Sequence, residues 1–219
     1  MKILSFNVEN DYRDLENKCE VICDLIHKHN PEIIGLQEVI PALYKLLSNK
    51  LSLNYTISTY ENTSYFNVML ILTTATLTNT IKYTPYTTSN MNRGYLCLQF
   101  NNILFMTTHL ESGRTTDSIN IRKTQYKEIV ENYREKPFVF FGDLNFSKGE
   151  CIDELYYVKP NNDHKYTYDA LYNLKAYPNV RENLDRFYLN KFIDFNQSTV
   201  TILSDITISD HFPILFEFV

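Results

Sequence analysis

Phe138–Phe141 sets four consecutive apolar residues directly before Gly142, Asp143, Leu144 and Asn145. A short apolar run without polar interruption reads as a β-strand buried on both faces, the kind found inside a layered fold. Gly142 allows the backbone to turn or to approach a neighbour closely at the strand end. Asp143 and Asn145 are then short polar side chains held at the mouth of a rigid element. Turn chemistry accounts for a Gly-Asp-x-Asn run equally well by itself. The rest of the chain shifts that balance, because other apolar runs also end in chemically capable residues.

Ile3–Val8 reads as an opening strand that carries Asn7, and Glu32–Val39 as a strand that carries Glu38. Asn102–Thr108 runs into His109 and pairs with Gly94–Phe100 through an Asn101-Asn102 hairpin. Asp185 opens a strand to Leu189, and Asp210 and His211 precede the closing strand Ile214–Val219. Tyr55–Tyr60, Asn67–Leu72, Thr74–Tyr83 and Thr199–Thr207 are further strands by alternation or β-branched content. Helical spacing predicts helices over Cys19–His29, Pro41–Asn49 and Thr115–Arg134, the last with Ile119, Tyr126, Ile129 and Val130 inward. Strands outnumber helices and the middle is hairpin-connected. The expected class is therefore α/β: two packed mixed or antiparallel β-sheets flanked by helices, a four-layer α/β/β/α sandwich.

With 219 residues, 44% of them hydrophobic, a single domain over residues 1–219 is expected. The formal net charge of -5 disfavours non-specific coating of long nucleic acid, which needs a basic surface, but not an enzyme that grips a few phosphates locally. Cys19, Cys23, Cys97 and Cys151 lack metal-site spacing, which suits a reducing compartment. MKILSFNVEND is too short and too acidic for a signal peptide, and no run is long enough to span a membrane. An intracellular, soluble monomer is expected, with cytoplasm and nucleus both open.

The strand-end set Asn7, Glu38, His109, Asp143, Asn145, Asp185, Asp210 and His211 combines hard oxygen ligands, amides and imidazoles. It suits magnesium, with manganese as the alternative, and a reaction that develops negative charge. Zinc is disfavoured because no closely spaced His/Cys set occurs. Each residue has a plain structural explanation alone, as a turn, a cap or a satisfied core histidine. Their joint placement is the stronger signal.

In order, SFNVE, LQEV, THLES, GDLNF, LDRFYL and SDHFPI span nearly the whole chain. This series resembles the endonuclease/exonuclease/phosphatase superfamily of DNase-like fold. LQEVIP, YFNVML, MNRGYLCL and THLESGR are similar to its 5′-tyrosyl-DNA phosphodiesterase branch. The resemblance implies Glu38 as the direct Mg²⁺ ligand, with Asn7 and Asp210 steadying its water shell or the phosphate. It makes Asp143 the group that orients and deprotonates water, Asn145 its partner, and His211, paired with Asp185, a donor to the phosphate. His109 and Ser112 would contact the phosphate from the other side. Tyr168 would pack on a DNA base, Tyr65 and Phe66 would form a wall, and Arg93, Arg114 or Arg186 would meet phosphates or peptide. The implied partner is a single-stranded or overhanging DNA 5′ end bearing a tyrosine or peptide. Abasic-site endonuclease, 3′-exonuclease, 5′-tyrosyl-RNA unlinking and a degenerate end-binding protein are the alternatives. One departure from the branch is that its early basic residue after GDxN is delayed here to Lys148.

Overall fold

The structure is a computed structural model and describes residues 1–59, 63–75, 80–194, 196 and 198–218. In chain order the first half runs β1 (Lys2–Asn7), α1 (Leu15–His29), β2 (Ile33–Val39), α2 (Pro41–Leu51), β3 (Tyr55–Ile57), β4 (Phe66–Leu72), β5 (Lys82–Pro85), β6 (Gly94–Phe100) and β7 (Ile103–His109). The second half runs α3 (Thr116–Tyr133), β8 (Phe138–Asp143), β9 (Tyr156–Val158), β10 (Tyr168–Asp169), β11 (Arg181–Glu182), β12 (Asp185–Leu189), β13 (Ser198–Ile202) and β14 (Ile214–Phe218). Two six-stranded sheets form, ordered β13-β14-β1-β2-β4-β3 and β5-β6-β7-β8-β12-β9, with β10-β11 as a separate ribbon. Both sheets are mixed, with β1–β2 and β7–β8 parallel among antiparallel neighbours.

Side-chain alternation builds the four expected layers. In β8, Val139 and Phe141 enter the cluster between the sheets, while Phe138 and Phe140 join Tyr126 and Ile129 of α3 outside. β1 does the same on the other side: Ile3 points between the sheets and Leu4 and Phe6 pack with α1 and α2 residues such as Ile22 and Leu47. The run that opened the sequence is thus buried on both faces, at about 1.5–3 kcal/mol per large apolar side chain. Phe141, Phe187 and Phe216 stack at 5.0 and 4.9 Å and tie the sheets together.

Several boundaries differ from the sequence expectation. Helix α1 begins a turn early, at Leu15. The face of α3 turns so that Ile121, Arg122, Gln125, Tyr126 and Ile129 are buried and Ile119 is only half-buried, because polar loops as well as apolar strands receive it. Thr73–Ala75 is a 3-10 turn rather than the start of a strand, which instead covers Lys82–Pro85; 76–79 lie outside the described residues. β3 ends at Ile57, with residue 60 outside the description. β13 ends at Ile202, where Leu203 N bonds Pro213 O and Ile206 N bonds Leu203 O, turning the chain. The short strands β9, β10 and β11 fall where only loop was expected.

Two glycines are required by close approach. A Cβ on Gly35 would lie 2.5 Å from Thr107 Oγ1 and 2.6 Å from Phe141 Cε2, so β2 can meet the opposite sheet only without one. Gly142 has φ +130° and its Cβ would lie 2.0 Å from the Thr108 carbonyl oxygen, a backbone atom of the neighbouring strand. Gly142→Ala should therefore lower unfolding stability by more than about 3 kcal/mol in urea titration. Gly149→Ala, at φ +92° in open space, should cost only about 1–2 kcal/mol by the same measurement.

Candidate active site

The active-site side chains are brought together by strand register. β7 and β8 are parallel and end together, pairing His109 with Asp143; β12 is antiparallel to β8 and begins there, pairing Asp185 with Asp143. On the facing sheet, β1 and β2 are also parallel; β1 ends at Asn7 opposite Gln37, and β2 runs on to Val39. The β2–β4 ladder shifts register between Leu36 and Val39, and Glu38 sits in that irregularity at φ +61°. A bulge of this kind re-aims a side chain. It releases Glu38 from strict alternation, leaving it half-buried at the cleft.

Asp143 is the hub. Its Oδ2 accepts from Asn7 Nδ2 at 2.9 Å and lies 3.2 Å from His109 Nε2 and 3.8 Å from His211 Nε2. Its Oδ1 accepts from Asn145 N at 2.9 Å, a geometry that holds Asn145 at φ +53°. Burial would raise the Asp143 pKa, but His109, His211 and these hydrogen bonds overcome it and hold the carboxyl well below the ordinary range. Asp143 is therefore an ionised acceptor suited to orienting water. His211 Nδ1 lies 2.7 Å from Asp185 Oδ2. Burial opposes the charged imidazole, yet Asp185 and Asp143 outweigh it and raise the His211 pKa well above the usual histidine value. His211 is thus a cation aimed at the hub.

Glu38 Oε1 accepts from Asn7 Nδ2 at 3.1 Å, and its Oε2 from Asn10 N at 3.1 Å. One ligand atom from each of Glu38, His109 and Asp143 lies within 4.8 Å of the others, a candidate metal cluster. If His109 Nε2 carries the proton toward Asp143, its Nδ1 presents a lone pair. That buried atom has no hydrogen-bond partner among the described residues and faces Glu38 Oε1 at 3.9 Å. Two acceptors across such a gap fit a cation between them. The carboxylate-rich set suits magnesium or manganese. The expected ligand pair was Glu38 with Asp210. Glu38 belongs to the cluster, whereas Asp210 lies outside it, half-buried on the same cleft wall. Burial raises the Asp210 pKa, His211 opposes this, and Glu9, Glu38 and Asp143 add to it.

The cleft holds about 390 Å³ and is lined by Glu38, His109, Asp143, Asn145, Asp210 and His211 at its floor. Of the expected substrate contacts, Tyr65, Arg93, Ser112, Arg114 and Tyr168 line it as well. Tyr168 sets its ring edge-on to His211 at 5.1 Å, and its hydroxyl accepts from Tyr177 N at 2.7 Å. Arg114 reaches the cleft but is engaged by Glu182 and donates to Ser147 Oγ at 2.7 Å. Two expectations fail. Phe66 points into the core, edge-on to Tyr44 at 5.5 Å, because alternation along β4 directs it away from the cleft. Arg186 does not line the cleft. It donates to Asn183 O and Glu150 O and stacks between Phe146 and Tyr157, a role set by packing under the loops.

Other contributors carried no signal in their spacing. Thr167 Oγ1 accepts from both Leu184 N and Asp185 N while its carbonyl accepts from Phe212 N, fixing Asp185 and His211 from behind. Ser209 Oγ donates to Asn7 O at 2.7 Å and accepts from His211 N. Buried Lys18 donates to Val8 O and Glu9 O, steadying the turn that presents Asn10 to Glu38. Only Ser209 could have been found, as the residue beside the Asp-His pair.

Comparison with known proteins agrees with this fold. Human tyrosyl-DNA phosphodiesterase 2 is 28% identical over 155 residues, which cover 68% of this chain and 42% of the relative. The Bos taurus protein of that name is 26% identical over 206 residues, covering 84% of this chain and 56% of the relative. The chain therefore spans about half the length of these curated relatives. The crystal structure of D. rerio TDP2 complexed with single strand DNA product matches the fold with a TM-score of 0.81 at 22% identity, covering 99% of this chain and 98% of that one. Residues 4–211 match the Endonuclease/Exonuclease/phosphatase family, to which this chain belongs.

Proposed function

We propose that this metal-dependent phosphoesterase hydrolyses the bond between a tyrosyl phenol and the 5′-phosphate of a DNA end, leaving a 5′-phosphate. The observation that carries the reading is Arg93. Its guanidinium is buried on the same cleft as the Asp143 hub and stacks over Tyr65 at 5.4 Å, and its Nε and Nη1 have no hydrogen-bond partner among the described residues. A buried cation with bare N–H groups is costly unless something anionic completes it. A departing phenolate, or the phosphate next to it, has the charge and the ring to do so. The relatives named above support the same substrate class.

Asp143 orients a water for attack and receives its proton as the new oxygen–phosphorus bond forms. The bond from phosphorus to the phenolic oxygen breaks, and the phenolate leaves with the electron pair and takes a proton from solvent. A phenol of pKa about 10 leaves without a strong general acid. His211, held charged by Asp185, donates to a phosphate oxygen as negative charge builds, while Asn145 keeps Asp143 in register. Glu38, with His109 and Asp143 near it, would hold a divalent ion, which would supply Lewis-acid polarisation of the phosphate. Tyr168 offers a stacking surface to a DNA base.

Incubation with 5′-tyrosyl, 3′-tyrosyl and abasic DNA and with 5′-tyrosyl RNA should give tyrosine release from the 5′-tyrosyl DNA fastest, abolished by EDTA and restored by added Mg²⁺. Preferred incision of the abasic duplex, or EDTA-resistant release, would refute the proposal. Single-turnover assays should find Glu38→Ala and Asp143→Asn slowed by about 10²–10⁴-fold. Near-normal cleavage by Asp143→Asn would remove that residue from water activation.

A further inference from the structure

Arg93 is held in an unusual way. Its guanidinium has one polar partner among the described residues, Met91 Sδ at 3.5 Å, so its aim is governed by its own backbone and by the Tyr65 ring. That backbone is held on both sides: the Arg93 carbonyl accepts from Tyr86 N at 3.0 Å, and its N–H is taken by a side-chain hydroxyl. Ser89 Oγ accepts from Arg93 N at 2.9 Å and from Met91 N at 3.1 Å, and donates to Glu111 Oε2 at 2.8 Å. Glu111 Oε1 accepts from Asn90 N at 3.1 Å. Glu111 is itself buried and locked to α3: its N donates to Gln125 Oε1 at 2.9 Å and its carbonyl accepts from Arg122 Nη1 at 3.0 Å. Gln125 Nε2 also donates to Thr88 O at 3.1 Å.

We propose that Glu111 and Ser89 form a brace that sets the position of Arg93 against the leaving group, making both of them positioning residues for the departure of the phenolate. This rests on the 5′-tyrosyl reading. A carboxylate is required at Glu111 because Ser89 Oγ and Asn90 N must be accepted on separate oxygens, with Gln125 Nε2 also donating to Oε2 at 3.5 Å; an amide offers one oxygen and leaves one of the first two donors unpaired. Glu111 follows His109 by two residues, so the strand that delivers the imidazole also delivers the brace. Both walls of the cleft are therefore referenced to the buried Arg122–Gln125 face of α3.

Dependence on the leaving group separates this role from a general structural one. Charge on the departing oxygen matters for a tyrosyl ester and much less for a p-nitrophenyl ester, whose phenolate is stable on its own. The test measures kcat/KM on a 5′-tyrosyl oligothymidylate and on thymidine 5′-(p-nitrophenyl) phosphate for Ser89→Ala, Glu111→Gln, Arg93→Gln and the Ser89→Ala/Arg93→Gln double variant. Ser89 is only half-buried, so its variant stays informative if Glu111→Gln folds poorly. The tyrosyl-to-nitrophenyl ratio should fall by at least about tenfold in each single variant, as expected for a displaced transition-state contact. The double variant should be no worse than Arg93→Gln alone. Equal loss on both substrates, an unchanged ratio, or full additivity in the double variant would overturn the brace. A wild-type protein that cleaves only the nitrophenyl ester would overturn the tyrosyl reading, and with it the leaving-group role.

Discussion

The shared ladder end at Asp143 governs the rest of the site. A parallel neighbour that ends at the same level and an antiparallel neighbour that starts there set His109 on one side and Asp185 on the other, within one sheet. Asn7 arrives from the opposite sheet, which can come close because Gly35 carries no side chain. A slip of one residue in either ladder would turn Asp143 toward the other face of its sheet. The phenylalanines of β8, packed on both faces, and the Phe141–Phe187–Phe216 stack resist that slip. Stability of the core and geometry of the site are thus one requirement.

Electrostatics follow from that placement. A carboxylate as buried as Asp143 survives only because an amide, a backbone N–H and two imidazoles surround it. Asp185 then keeps His211 charged rather than serving the reaction directly. Elsewhere on the cleft, Glu38 and Asp210 bring negative charge, while Arg93 brings buried positive charge with donors open among the described residues. A divalent ion at the first and an anionic oxygen at the second would balance both. On the proposed function, this local arrangement reconciles a net charge of -5 with a phosphate-bearing substrate.

The layered architecture was legible because FVFF is an uninterrupted apolar run and Asn101-Asn102 carries hairpin chemistry, and the strand-end residues elsewhere in the chain tipped the Gly-Asp end from a turn to a site. Asn7, Glu38, His109, Asp143, Asn145, Asp185, Asp210 and His211 could be named from strand ends, and the fold gathers them around one cleft or directly beneath it. What could not be read was which way a side chain of an adjacent pair turns. Tyr65 and Phe66 looked alike as a wall, yet only Tyr65 faces the cleft, since the next residue along β4 must turn inward. Arg186 looked like a phosphate or peptide contact and is held instead by the nearby Asn183 carbonyl and by the Glu150 carbonyl and the Phe146 and Tyr157 rings, which lie far earlier in the chain. The buried polar face of α3 was hidden for a similar reason. Arg122 and Gln125 share the inner face of α3 by helical spacing, but their polar character reads as surface until the loops folded over them give them partners.

The central claim is that water held by Asp143 attacks phosphorus and expels a phenolate. Hydrolysis of a 5′-tyrosyl oligonucleotide in ¹⁸O-water, read by mass spectrometry after a single turnover, tests it most directly. The account predicts one ¹⁸O atom on the 5′-phosphate of the DNA and unlabelled free tyrosine. A 5′-hydroxyl end with labelled phosphotyrosine, or label in the tyrosine, would contradict it.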